Sequence, residues 1–441
     1  MKLKNKTLMH KMSLALAPVA LLMTVQAASA GEIDSLTDAF KGGKTNFATQ
    51  YRYETVETPN GTKGQAKAST LGARLGYETG DFHDFSGTIQ YQAVMANKQY
   101  DNFQGTAGGQ TANLNAVADP GGAGVVQAHL TYKGIADTTI KQGRQVIRYD
   151  DDRWVGNVDW RQSWQSFDAT SITNKSLANT TIQAAYVTNV NRVIGTEATG
   201  GFAGDTHMKS TLLNVNNKSM SFADLVFYNY RLDYTAQVQA NAATDKFGFG
   251  STNTTGLKVM GNASAIGDYK LSWVAEYAQQ KDNKLNNKDY NAKYTNLNAK
   301  LDMNFATIQP GMEILGANNG ASVQTPLATL FAFNGWADKF LVTPTIGLKD
   351  TYVKARSNAM GIVYGADFHQ FKSDTGNLGL GRELDLIAEK QIDKVFAVGA
   401  RAARYKASTE TVSNTASANA AAGGIALTDT NKMWLYGSMK F

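Results

Sequence analysis

The sequence predicts an all-β chain: a transmembrane antiparallel β-barrel of about eighteen strands, sixteen being the alternative count, with short periplasmic turns and long extracellular loops. Three observations carry this. Apolar and polar residues alternate with period two in segment after segment, with no apolar run long enough for a spanning helix. The gaps between these segments alternate short and long. The chain end, Met433-Trp434-Leu435-Tyr436-Gly437-Ser438-Met439-Lys440-Phe441, alternates up to a terminal aromatic.

Composition agrees. The 441 residues are 43% hydrophobic and 18% charged, with 41 Gly and no Cys, and the mean hydropathy is −0.32. That is too polar for a helical membrane protein, while the lack of Cys excludes a disulfide scaffold. Barrels run long as one unit, so length forces no split.

Residues 1–30 read as a cleaved secretory signal. Lys2, Lys4, Lys6 and Lys11 precede an apolar stretch from Leu14 to Val25, and Ala28-Ser29-Ala30 supplies the small-x-small cleavage pattern. Because this leader holds four Lys and no acid, its removal lowers the formal charge from +6 to +2. The apparent basicity therefore gives no footprint for nucleic acid. Residues 31–44 form a short periplasmic segment in which Ile33, Leu36 and Phe40 share a helical face before Gly42-Gly43; a helix and a frayed leader are both open readings.

The barrel occupies 45–441. Candidate strands lie at 46–57, 69–78, 85–95, 125–133, 138–148, 166–173, 180–189, 208–216, 221–233, 255–262, 269–279, 293–304, 310–316, 345–354, 359–371, 380–389, 395–406 and 429–441. Leu297-Asn298-Ala299-Lys300-Leu301-Asp302 shows the alternation plainly. One face of such a strand meets lipid and the other lines a lumen, and closure satisfies every backbone group. The short 310–316 and the Gly- and Asn-rich 255–262 are the two weakest segments. Pro59, Pro120, Pro310, Pro326 and Pro344 fall in gaps or at strand edges, where a missing N–H breaks no ladder. Tyr51, Tyr53, Tyr77, Tyr132, Tyr228, Tyr230, Trp273 and Tyr277 fit interfacial girdles on the lipid face.

Parity directs Arg52, Glu54, Arg74, Gln90, Gln92, Gln127, His129, Lys133, Arg231, Asp233, Lys270, Glu276, Lys300, Asp302, Asp367, His369, Glu383 and Asp385 towards the lumen. This is a mixed wall of acids and bases, the kind that sets selectivity for small polar solutes. For any one of these residues, simple solvation of the lumen is the bland alternative.

The densest segment is 143–169. It holds Arg144, Arg148, Arg153 and Arg161, three of the six Trp (Trp154, Trp160, Trp164), and the run Asp150-Asp151-Asp152. Arg forks match carboxylates and aromatic faces stack on sugar rings, so acidic saccharides are one reading and a loop held by its own ion pairs the other. The three Asp are a weak Ca²⁺ candidate; no cofactor is expected.

Within this segment Gly143-Arg144, Tyr149, Asp151, Arg153, Val155-Gly156, Asp159-Trp160 and Phe167-Asp168 resemble the signature of the alginate-export family of outer-membrane proteins. Looser matches are Asp338-Lys339-Phe340, Thr343-Pro344, Gly347-Leu348-Lys349-Asp350 and Gly381-Arg382-Glu383-Leu384-Asp385. The resemblance implies an eighteen-stranded barrel whose Arg-lined lumen passes an anionic uronate polymer, with Arg144, Arg153 and Arg161 as lumen or constriction residues. Trp164-Gln165-Ser166 departs from the Gly-Arg often found there in the family, and the small net charge departs from a polyanion conduit.

Histidines His83, His129, His207 and His369 are scattered, with no nucleophile elbow, metal spacing or phosphate loop, so the chain reads as a channel and not an enzyme. The first function reading is an outer-membrane porin for passive diffusion of small hydrophilic solutes, anionic sugars and organic acids among the candidates. The alternatives are a channel exporting or importing an acidic polysaccharide such as alginate, and a barrel whose loops 96–124 and 407–428 bind a surface partner. Expected partners are outer-membrane lipid and lipopolysaccharide, the solutes, and the barrel-assembly machinery, which would read Phe441.

Overall fold

A computed structural model describes residues 35–441 except 60, 97–112, 196–203, 236–249, 284–288 and 410–426. The leader therefore lies outside the described residues, as does most of both long partner-binding loop candidates. A one-and-a-half-turn helix, α1 (Leu36–Lys41), opens the described chain; Ser35 caps it by accepting from the Asp38 N–H. Among the described residues no helix is long and apolar enough to cross a membrane.

Eighteen antiparallel strands follow in order: β1 Lys44–Glu57, β2 Ala66–Glu78, β3 Phe85–Ala96, β4 Gly122–Ile135, β5 Thr138–Gln145, β6 Ser166–Asn174, β7 Thr180–Asn191, β8 Asp205–Asn217 and β9 Ala223–Leu232. The second half continues with β10 Thr252–Ile266, β11 Tyr269–Asp282, β12 Asn291–Asp302, β13 Ala306–Leu315, β14 Leu348–Ala359, β15 Ile362–Lys372, β16 Gly379–Gln391, β17 Phe396–Ala407 and β18 Thr430–Lys440. Each pairs with its neighbours, and β1 pairs with both β2 and β18, so the sheet closes without an edge. All eighteen expected segments are strands, including the two weakest. The Phe441 backbone exchanges hydrogen bonds with Phe47 in β1, and the two rings stack at 6.5 Å.

Burial alternates along the strands and separates two faces. Outward positions are oily: Tyr51, Ile89, Leu130, Leu257, Trp273, Tyr277, Leu297, Val353, Phe368, Leu386 and Leu435 are exposed. Inward positions are polar and buried: Arg52, Glu54, Lys258, Glu276, Glu313, Asp367, Glu383 and Asp385. An open tube would leave such groups wet, so material inside the lumen covers them.

Three expectations need correction. Strand β5 ends at Gln145, three residues early, because the chain then turns inward. Pro310 lies inside β13, opposite Val353 of β14. Its other side faces a break in the β12 ladder, where pairing skips from Asn298–Gly311 to Leu301–Ile308, so the missing N–H interrupts a ladder already open. In β9 the faces are the reverse of the expectation: Tyr228 and Tyr230 are buried inside, whereas Arg231 and its partner Thr211 are exposed outside.

Candidate functional site

After β5 the chain runs inward for twenty residues, 146–165, and returns as β6. Gly143 begins the departure at φ 123°, a conformation that L side chains rarely adopt, and a Cβ there would overlap the Ala128 carbonyl oxygen. At the base of the loop the Arg144 guanidinium donates from Nε (2.7 Å) and Nη2 (3.0 Å) to the two oxygens of Asp168, which also accepts from Asn189 and Asn191. The Gln145 side chain ties the same base from inside by donating to the Ala169 carbonyl.

The loop then reaches around the wall. Asn214 of β8 donates to Asp150 at 2.8 Å, Lys258 of β10 to Asp151 at 2.7 Å, and the Trp154 indole N–H to Glu276 of β11 at 2.9 Å. Arg153 donates to Glu313 of β13 at 2.6 Å. In the other direction Arg161 donates to Glu54 of β1 at 3.0 Å and Gln162 to Thr70 of β2 at 3.0 Å, while the Trp164 N–H donates to Gln92 of β3. In a ring of eighteen, β1 and β10 are opposite, so this loop crosses the lumen from wall to wall.

Aromatic packing explains the inverted β9. Trp154 lies 5.7 Å from Tyr228 and 5.0 Å from Tyr294, and Tyr149 stacks on Tyr230 at 6.0 Å. These tyrosines face an oily plug and not water. At the other end Trp160 stacks on Phe331 at 4.5 Å and meets Trp434 and Tyr436 of β18, with the guanidinium carbons of Arg52 and Arg401 each 4.2 Å from its ring centre.

A second long connection, 316–347, locks onto the first. Leu327 pairs with Val155 and accepts from the Gly156 N–H, and Gln165 donates to the Leu327 carbonyl. Its tip is held by β16: the Ala337 N–H donates to Glu383 at 2.6 Å and the Trp336 N–H to Asp385 at 3.2 Å. Gly335 has φ 86°, and a Cβ would lie 2.5 Å from the Glu383 carboxylate, so the chain passes where only glycine fits. Asp338 accepts from Arg161 (3.2 Å) and from Lys432 of β18 (2.6 Å).

Charges in these loops are strongly biased. Burial pulls Arg161 down, yet Glu54, Asp119 and Asp338 outweigh it and keep its guanidinium above the ordinary value. Hydrogen bonding to Asp152 raises Arg148, and burial raises Asp150 and Asp152. Lys339 goes the other way: burial, with Lys432 nearby, lowers it to about 8. Among the non-glycine residues at left-handed φ inside the plug, the apolar Val158 (φ 54°) and Leu330 (φ 61°) are strained, whereas the Asp and Asn residues there tolerate that conformation.

Of the expected pore residues, Arg153 and Arg161 are buried inside the plug, and Arg52 donates to Asp119 and the Trp160 carbonyl beneath it. Arg148 keeps half of its side chain accessible beside Asp152 and Asp159, and Arg74 stacks 4.0 Å over Trp164. Lys300 shares the inward face with Asn296 and Asn298. Glu383 and Asp385 are buried anchors of the second loop and not exposed ring charges.

Two candidates are corrected. Arg144 pairs directly opposite Ala128, between the inward Gln127 and His129, so it lies on the outer face with Asp168; Arg231 is likewise outside. An eight-residue strand with polar residues on both faces gives parity no foothold. The Ca²⁺ candidate also fails: Asp150, Asp151 and Asp152 point to Asn214, Lys258 and Arg148 respectively, and no metal-competent cluster exists among the described residues. Asp119, Lys258, Glu313 and Arg401 were not singled out by sequence, and Asp338 only as part of a looser family match. Lys258 and Glu313 lie in the two weakest segments, which had no firm parity.

The alginate export family model matches residues 47–318. No curated protein matches the chain. Solved structures share the architecture. Acinetobacter baumannii OccAB2 is 14% identical, with 92% of this chain and 99% of that one covered and a TM-score of 0.68. Pseudomonas aeruginosa OpdK with vanillate is 11% identical, covering 91% and 99%, TM-score 0.66. Pseudomonas aeruginosa OccD3 (OpdP) is 13% identical, covering 95% and 96%, TM-score 0.63. At these identities the likeness is one of fold.

Proposed function

We propose that this chain, which belongs to the alginate export family, is an outer-membrane channel through which small hydrophilic solutes diffuse passively, with a preference set by the loop that crosses its lumen. One observation carries the reading. The twenty-residue loop spans a closed eighteen-stranded barrel from β1 to the opposite β10 and leaves the Arg148 and Asp159 side chains half accessible. A rigid constriction with paired charges discriminates solutes by size and charge without a binding cycle. Two aromatic clusters and buried ion pairs hold the loop, so it is a fixed constriction and not a flap.

Small anions, carboxylates in particular, fit the open side of Arg148, whose guanidinium is held in place by Asp152 and Asp159. The vanillate in the OpdK structure is a carboxylate bound by a barrel of the same fold. A polysaccharide conduit is the second reading, favoured by the family. Against it, two loops fill the lumen and most of its carboxylates and guanidinia are already matched to each other. The outward belt meets outer-membrane lipid. Phe441, tied to Phe47, would serve the assembly machinery as its recognition residue.

Reconstitution into planar bilayers, with reversal potentials measured in a salt gradient, tests the proposal. Weakly anion-selective current through single channels is the expected result. A silent reconstituted barrel would overturn it, and strong block by an oligouronate that also crosses the bilayer would favour the polysaccharide route.

A further inference from the structure

The outer wall carries a feature that the channel does not use. At the extracellular ends of β14–β17 five cations face outward: Lys349, Lys372, Arg382, Arg404 and Lys406. The register aligns them in rows. Lys349 stands opposite Lys372; Gln370, Arg382 and Lys406 form the next row; Phe368, Leu384 and Arg404 the one beneath. Adjacent strands lie about 4.8 Å apart, so each row presents its charges within reach of one small anion. The inward cations close by are matched, Arg356 with Asp367 and Arg401 with Glu389, but the described residues place no carboxylate within ion-pair distance of these five. The register shifts between Phe371 and Lys372 at this place. A groove of about 620 Å³ here is lined by Phe368, Gln370, Lys372, Arg382 and Lys406. Directly below it Phe368, Leu384, Leu386 and Tyr364 are exposed and apolar.

We propose that this groove binds a phosphorylated glycolipid of the outer leaflet, the phosphate held by Arg382, Arg404 and Lys406 and the acyl chains lying on Phe368, Leu384 and Leu386. The inference rests on the outer-membrane reading above. Charge complementarity selects an anionic headgroup, and the change from basic rows to apolar rows down one face matches the change from headgroup to chain in a lipid. A neutral lipid would leave five cations without a partner, and the basic rows run straight into the lipid-facing apolar rows, which sets the anion on a membrane lipid.

The test uses the full-length barrel in detergent, titrated with phosphatidylethanolamine vesicles containing a bis-phosphorylated, acylated disaccharide or its dephosphorylated counterpart. Bound lipid is counted by native mass spectrometry. Wild type is expected to retain the phosphorylated lipid, and Arg382→Gln/Arg404→Gln/Lys406→Gln to retain at least tenfold less, with bilayer conductance and heat-modifiable gel migration unchanged. Equal retention of the dephosphorylated lipid, undiminished retention by the triple variant, or full displacement by an equal concentration of inorganic phosphate would each overturn the proposal. Loss of conductance in wild type would count against the channel and leave this lipid assay to stand separately.

Discussion

Arg144 and Asp168, twenty-four residues apart, clasp each other through two parallel hydrogen bonds on the outer face of the barrel and close the base of the loop that crosses its interior. Both residues belong to the segment that marks the family, yet neither touches the lumen. Arg144→Ala is expected to leave the reversal potential unchanged. Each side chain of the pair is almost a third accessible, so the stability cost is at most about 1 kcal/mol. A shift in ion selectivity in this variant would show that the clasp faces the pore after all.

Arg148 and Arg153 separate the opposite way. Arg148→Ala removes an accessible cation from the constriction, so anion preference should fall in the reversal-potential measurement; it also takes the partner from the buried Asp152 carboxylate, but half of Arg148 is open to water, so the urea midpoint should fall less than in Arg153→Ala. Arg153→Ala strands the buried Glu313 carboxylate; breaking such a pair costs about 3–5 kcal/mol, and the urea midpoint should fall accordingly.

The sequence made all eighteen strands legible because alternation and turn chemistry are local. Which face was wet was less so. Period two says that two faces differ, and in β9 the plug makes the inner face the oily one, which inverted Tyr228, Tyr230 and Arg231. The plug itself announced its composition, with four Arg and three Trp in 143–169, but not its partners. Glu276 and Glu313 lie more than a hundred residues further on, and no spacing encodes a contact made only when a ring has closed.

Glu383 and Asp385 hold the tip of the second loop by accepting from two backbone N–H groups. A hydrogen bond contributes about 0.5–1.5 kcal/mol net, and the two act together on one short stretch, so Glu383→Ala with Asp385→Ala should release residues 330–340. Single-channel conductance is expected to rise and the loop to become cleavable by added protease. Unchanged conductance together with protease resistance would mean that the aromatic contacts of Phe331 and Trp336 suffice.

Lys339 supplies a pH dependence. Burial places its folded value near 8, below the ordinary 10.5. As pH rises through 8 the folded protein loses this proton before the unfolded chain does, so stability rises between about 8 and 10.5 and the cost of the buried ammonium returns below 8. Over pH 7–9 the lumen also loses one positive charge, and anion preference should decline. Lys339→Gln is expected to flatten both curves over that interval; a selectivity step that persists in this variant would assign it to another group.

The chain of charges Glu54, Arg161, Asp338 and Lys432 joins β1 to β18 through both inward loops, and Trp160 rests on Trp434 and Tyr436 at the same junction. The first and last strands synthesised therefore supply the socket for the plug. A sheet that has not closed lacks that socket, so the two inward loops find all of their anchors only in the closed cylinder. The same fastening bars the seam from parting sideways, which commits any cargo to the axial route.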